Sequence, residues 1–327
     1  MSKHNQHSEW MLEIALQIDE QSPGFCGAFL RASNEKMHVI AAFVAARCGS
    51  LDRANEVAPF LLGTDHRTIL ATAFGEAPQG FRGALRRSGP AIHDKRFYSV
   101  LYRLLAKPRH NEIVRCISRL DALTLSKLRV VNILPPELCR PNVVEAIETI
   151  ESATDLVASI GLITAAGGDR EKLCSAIQKV RSELTLARAV GRALLDCQGV
   201  AHPVPPTDGY RPIETARDLH KIAAKFRNCA RSYTIDLLDH DAGHAFAEVR
   251  KGNHAGVAHL RQREGKWSLE GVYGPRNIRP ASALRQHTIE HLQAHGVHQR
   301  ERSSTSNSKW NHVRRMTTMP MLEFEFA

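Results

Sequence analysis

No run of about 18 apolar residues occurs in this chain, so nothing in its pattern calls for a membrane-spanning helix. Aromatic residues are scarce, at 6% against 43% hydrophobic and 24% charged, so aliphatic side chains must fill an ordinary globular core. The seven cysteines (26, 48, 116, 139, 174, 197 and 229) are odd in number and never form a C-x-x-C pair. That argues against a disulfide frame or zinc ribbon and for reduced thiols in a cytoplasmic setting. The opening Met1-Ser2-Lys3-His4-Asn5-Gln6-His7 has no apolar centre of the kind a signal peptide carries. A Walker loop, a Rossmann glycine string and a G-x-S-x-G elbow are all missing, so ATPase, dehydrogenase and hydrolase templates have no footing. Blocks of five or six like charges are missing too.

What is present is an excess of positive charge. The formal net charge is +10, and at 327 residues the chain is long enough for two domains. Lys and Arg outnumber Asp and Glu by 25 to 21 over residues 1–205 and by 19 to 13 over 206–327. A basic balance favours a polyanionic partner, nucleic acid first.

Residues from about 8 to 197 read as helical almost throughout. His38 to Arg47 is apolar and Ala-rich, and Ser50-Leu51-Asp52 suits a helix cap. Arg96 to Leu105 places Phe97, Val100, Leu101 and Leu104 at helical spacing, and Asn111 to Leu120 continues with Ile113, Val114 and Ile117. Two long helices are expected over Asn142–Thr164 and Asp169–Leu195, split by a turn at Ala165-Ala166-Gly167-Gly168. Residues 1–199 therefore form a helical bundle or array without a fixed repeat. Pro203, Pro205, Pro206, Gly209 and Pro212 mark 200–212 as a linker.

Beyond it the period changes. A helix over Ile213–Phe226 precedes a cysteine loop and a short helix at Thr234–Leu238. Strands follow at His244–Lys251 (half-buried by its alternation), Ala255–Gln262 and Trp267–Tyr273, joined by Gly252-Asn253 and Glu264-Gly265-Lys266, with a helix at Pro280–His295. The expectation is an α+β protein: an all-helical N-terminal domain, then a small antiparallel three-stranded α/β domain over 213–298. Residues 299–327 are left as a basic, polar tail, whose Met321-Leu322-Glu323-Phe324-Glu325-Phe326 alternates like an added strand.

Chemistry concentrates in 226–277. Cys229 lies between Arg227 and Arg231, and Thr234 opens a helix just after it, whose amino end favours an anion. A nucleophilic thiol needs a base, which His244 or His259 supplies, and an orienting group, which Asn228 or Asn277 supplies. The plainer reading is a small residue anchoring a loop. Arg250, Lys251, Arg261, Arg263, Lys266 and Arg276 decorate strands and turns; with Arg227 and Arg231 they make a candidate nucleic-acid surface. Strand alternation puts Trp267, Leu269, Gly271 and Tyr273 on one face, as a stacking platform or as core. His287-Thr288-Ile289-Glu290-His291 matches H-x-x-E-H, but no third ligand suggests itself, so no metal and no cofactor is assigned. His240, His244, His254 and His259 cluster around the first hairpin.

Asn228-Cys229-Ala230-Arg231-Ser232-Tyr233 after a helix, followed by strands and Gly274-Pro275-Arg276-Asn277, resembles the PcfJ-like family of conjugative plasmids and phages. That family's hallmark is His-Cys-Val-Gly-x-Tyr and a later Gly-x-x-Asn. The resemblance covers the last third of the chain. Asn228 stands at the family histidine, Arg231 at its glycine, and the glutamine expected near Gly271 is missing. The resemblance implies a mobile-element context and a fold more than a chemistry; together with the basic C-terminal domain, the expectation is a mobile-element accessory protein that binds nucleic acid or a nucleoprotein complex through that domain. The alternatives are a cysteine-dependent enzyme built on Cys229 and a helical adaptor for a protein partner.

Overall fold

The computed structural model describes residues 9–47, 54–106, 111–299 and 310–317. Its contacts divide the chain into two compact units, Met1–Thr154 and Asp155–Ala327. None of the described helices is long and apolar enough to cross a membrane.

The first unit holds helices α1 (Glu9–Gln21), α2 (Phe25–Leu30), α3 (Asn34–Arg47), α4 (Ala54–Gly63), α5 (His66–Phe74), α6 (Phe81–Arg86), α7 (Lys95–Ala106), α8 (Asn111–Arg119), α9 (Leu125–Ile133) and α10 (Pro141–Glu145). The helical spacing along α7 and α8 places Phe97, Leu101, Leu104, Ile113 and Ile117 in the core. One polar side chain is fully buried there. His38 donates from Nε2 to the Gly89 carbonyl at 2.9 Å and accepts the Tyr98 hydroxyl at Nδ1, 3.0 Å away. Burial lowers its pKa to about 4. The proposed cap at Ser50-Leu51-Asp52 lies outside the described residues.

Each of the two expected long helices is broken, and in each case a cap explains the break. α11 (Ile150–Ala165) starts afresh because Thr149 Oγ1 accepts the Ser152 amide at 3.0 Å. Asp169 caps α12 (Arg170–Ile177), and Ser182 with Thr185 forms a capping box for α13 (Glu183–Leu194). Apolar periodicity runs through these points; the hydroxyl and carboxylate caps interrupt it.

The second unit contains a sheet with order β1-β2-β3-β4-β5. β1 (Tyr210–Ile213), β2 (His244–Lys251), β3 (His254–Arg263) and β4 (Lys266–Tyr273) pair antiparallel. β5 (His298–Gln299) adds a two-residue parallel pairing to β4. The expected three antiparallel strands are therefore four. The extra one, β1, arises in the proline-rich stretch. It is an edge strand, where Pro212 needs no partner for a missing N–H. The helix expected from Ile213 begins three residues later, as α14 (Ala216–Phe226), with Thr215 as its cap.

Both faces of the sheet are covered. On one, Ala245, Ala247, Val249, Ala258, Leu260, Leu269 and Val272 pack with Leu284, Ile289 and Leu292 of α16 (Ser282–Ala294). On the other, Ile213, Phe246 and Val257 pack with Leu219, Ile222, Ala223 and Phe226 of α14 and with Leu237 of α15 (Thr234–Leu238). β2 is consequently buried from His244 to Val249 rather than half-buried. A bulge after His259 leaves Glu270 as the extra residue of β4. It reverses the alternation, so Trp267 and Leu269 belong to the α16 face with Val272, and the shared face expected for Trp267, Gly271 and Tyr273 does not exist. Within the stretch read as a tail, α17 (Asn311–Thr317) is anchored where Arg315 grips the buried Asp155 through Nε and Nη2, both at 2.6 Å. Met321 to Phe326 lie outside the described residues.

The turn into β1 depends on Gly209. It sits at φ +89°, and a Cβ there would meet the Arg250 carbonyl oxygen at 2.7 Å. Gly209→Ala is expected to lower stability by about 2 kcal/mol in urea unfolding, because backbone strain and a clash with main chain act together.

Candidate functional site

The site is built from two loops. α14 ends at Phe226 because Arg227 turns left-handed, at φ 48°, the conformation glycine usually supplies at a helix end. Its amide closes on the Ala223 and Ala224 carbonyls. Asn228 then caps a tight 3-10 turn over Cys229–Tyr233, accepting the Ala230 amide at 3.1 Å. The second loop follows β4. Gly274 and Ile278 bracket it, the Gly274 amide donating to Ile278 O at 2.9 Å, and within it Arg276 and Asn277 stand at φ 54° and φ 59°. The loops meet where the Cys229 thiol donates to Asn277 Oδ1 at 3.6 Å.

Three of the four non-glycine residues with positive φ among the described residues, Arg227, Arg276 and Asn277, sit on this rim. Such backbone costs about 1 kcal/mol or more per residue and concentrates at working sites. Arg227, Arg231 and Arg276 are exposed, and among the described residues none has an ion-pair partner. Among the described residues Cys229 is the exposed thiol, while Cys26 is half-buried and Cys116, Cys139, Cys174 and Cys197 are buried. Tyr273 is 38% exposed and folds its ring over Gly271, where a Cβ would lie 2.8 Å from the ring.

Beneath the rim, under Tyr233, lies a histidine pair. His259 on β3 faces Phe246 and stacks on it at 4.4 Å between centroids, and His244 Nδ1 meets His259 Nε2 at 2.8 Å. The Tyr233 ring stands 5.0 Å from His259. One nitrogen must donate and the other accept, so the pair cannot be doubly cationic. Burial, then the charge of His244 and of Arg261, lowers the His259 pKa to about 3, and burial likewise lowers that of His244. Tyr233 carries a raised pKa, from burial first and then from Cys229 and Tyr273 nearby. Tyr233 enters the sequence reading only as the last residue of the Asn228–Tyr233 motif; its place over the histidines is set by the turn that brings it onto the sheet.

The structure thus pairs the thiol with a carboxamide and the two histidines with each other. A carboxamide oxygen accepts the thiol proton without removing it, and a base held below the ordinary histidine range and bound to its neighbour takes up protons poorly at neutral pH. The other candidates are dispersed. Arg250 lies on Glu248, its Nη2 at 2.7 Å from Oε1, which Lys225 also reaches at 2.6 Å. Arg263 pairs with Glu270 at 3.5 Å, Arg261 is half-buried beside the histidines, and Lys251 and Lys266 are exposed at hairpin ends. His240 and His254 are exposed. Of the H-x-x-E-H string, Glu290 accepts from Gln286 and His291 lies tilted against Tyr210, 4.8 Å between ring centroids. No three His, Cys, Asp or Glu side chains among the described residues are placed to hold a metal.

The neutral pair has a measurable consequence. His259 titrates near 3 when folded and near its ordinary 6.5 when unfolded, so the unfolded chain binds the extra proton between those values. Its contribution to stability is complete above 6.5 and declines as pH falls towards 3. In urea unfolding at about pH 7.5 and about pH 4.5, His259→Phe is expected to show a smaller loss on acidification than the parent, by up to about 1.4 kcal/mol per pH unit of the window. Comparison of the chain with family models, curated proteins and solved structures returns no match.

Proposed function

We propose that the 155–327 unit binds nucleic acid, alone or in a nucleoprotein complex, through the rim formed by the loops at 227–231 and 273–279, as an accessory protein of a mobile element. The observation that carries this reading is the Cys229–Asn277 contact. It joins the two segments that resemble the PcfJ-like signature and gathers Arg227, Arg231 and Arg276 around one exposed edge, beside the exposed Tyr273. Guanidinium groups free of carboxylates suit phosphate oxygens, and an exposed phenol ring suits a splayed base. The energy stored in left-handed Arg227 and Arg276 supports the same reading, since glycine would fold more easily at both places.

That last point separates function from folding in one experiment. Arg227→Gly/Arg276→Gly is expected to keep or raise stability, by about 1 kcal/mol, while weakening binding. With fluorescein-labelled single-stranded and duplex oligonucleotides, three phosphate contacts in the parent predict a fall in affinity of about 20- to 40-fold between roughly 50 and 200 mM salt. The double variant should bind about tenfold or more weakly and lose about two contacts' worth of salt slope. Affinity that ignores salt, or a variant that binds like the parent, overturns the reading.

A further inference from the structure

A second surface in the same unit has a different character. Between α12 and α13 runs an open groove of about 770 Å³. Its floor is aliphatic: the buried Leu173 and Val180, then the half-exposed Ala189, Ala193 and Leu195. Its walls are basic, carrying Lys172, Lys179, Arg188, Arg192 and Arg217 against only Asp169 and Asp196. Both carboxylates are already engaged. Asp169 accepts the Lys172 amide at 2.9 Å as the cap of α12, and Asp196 is held by the Arg217 guanidinium and by Lys172 Nζ at 3.6 Å. Lys179, Arg188 and Arg192 are left with no carboxylate partner among the described residues.

We infer that this groove docks an amphipathic, acidic helix of a partner protein. The charge that the walls lack is negative, and the floor is apolar; an occupant must answer both. A nucleic-acid backbone would meet the cations and leave the aliphatic floor facing phosphates, whereas a helix with one apolar face satisfies floor and walls together. The dimensions agree. α13 has 12 residues, a length of about 18 Å, room for roughly three turns of a partner laid along it. Arg188 and Arg192 are four residues apart on α13, so they present a paired charge about 6 Å apart that matches carboxylates four residues apart on the partner. The groove does not share residues with the rim at Cys229, and the inference stands independently of the nucleic-acid reading.

The test is fluorescence anisotropy of the full chain with a labelled peptide of about 15 residues that carries leucines on one helical face and glutamates four apart beside it. A scrambled peptide of the same composition, with the apolar face dispersed, is the control. The expected result is saturable binding in the range of about 1–100 μM for the amphipathic peptide and at least tenfold weaker binding for the scramble. Arg188→Glu/Arg192→Glu should weaken binding tenfold or more. Ala189→Trp, which fills the floor without altering charge, should weaken it comparably; Arg188→Gln/Arg192→Gln repeats the charge test should either of those unfold. The rim variant Arg227→Gly/Arg276→Gly should bind the peptide as the parent does, so failure of one site is not mistaken for failure of the other. Equal affinity for the two peptides, or indifference to all three groove variants, overturns the inference. So does an oligonucleotide that competes with the peptide and loses affinity with the same groove variants, since that assigns the groove to nucleic acid.

Discussion

The sheet of the second unit is buried on both faces, and this constraint governs the chemistry around it. Once α16 covers one side and α14 the other, any polar side chain that faces inwards must find its partner within the protein. His244 finds His259. Glu248, with a side chain only 5% exposed, collects Lys225 and Arg250. Each solution removes a group from service elsewhere: the histidines are neutral and mutually bound, and Arg250 is committed to a carboxylate. Chemistry facing solvent is displaced to the edge where α14 ends, and the loop after β4 comes to meet it.

That edge owes its form to backbone as much as to side chains. Arg227 closes a helix in a conformation better suited to glycine, and Arg276 and Asn277 repeat the conformation in the facing loop. The thiol–carboxamide contact lies between them. A chain that places arginine where glycine folds more easily holds a guanidinium at a defined place on the surface, and the nucleic-acid reading rests on that placement. The helical hairpin of α12 and α13 works oppositely: its backbone is regular and well capped, and its unanswered charge sits over a smooth aliphatic floor.

Much of the fold was legible because the relevant signals are local. β2 to β4 are bounded by glycine-bearing turns, and α7 and α8 have clear spacing, so sequence and structure agree within a residue or two. What was illegible depended on context. Prolines concealed β1, since they are tolerated only on an edge and nothing local says where an edge is. Caps at Thr149 and Ser182 cut helices whose apolar period ran on unbroken. The bulge at Glu270 shows in pairing alone, yet it dissolved the shared face of Trp267 and Tyr273. At the site, the cysteine loop and the Asn277 turn were each recognisable; their meeting, and the retreat of both histidines beneath Tyr233, were set by tertiary packing.

The extra residue of β4 also sets which kinds of genetic change the sheet can absorb. Side chains on either side of Glu270 obey opposite parities, so β4 behaves as two short half-strands spliced out of phase. Exchange of one amino acid for another leaves that phase untouched. Loss of the Glu270 codon alone would close the splice without moving a neighbour off its partner: Leu269 would still face Leu260 and Gly271 would still face His259, so Trp267, Leu269 and Val272 would keep the α16 layer by plain alternation.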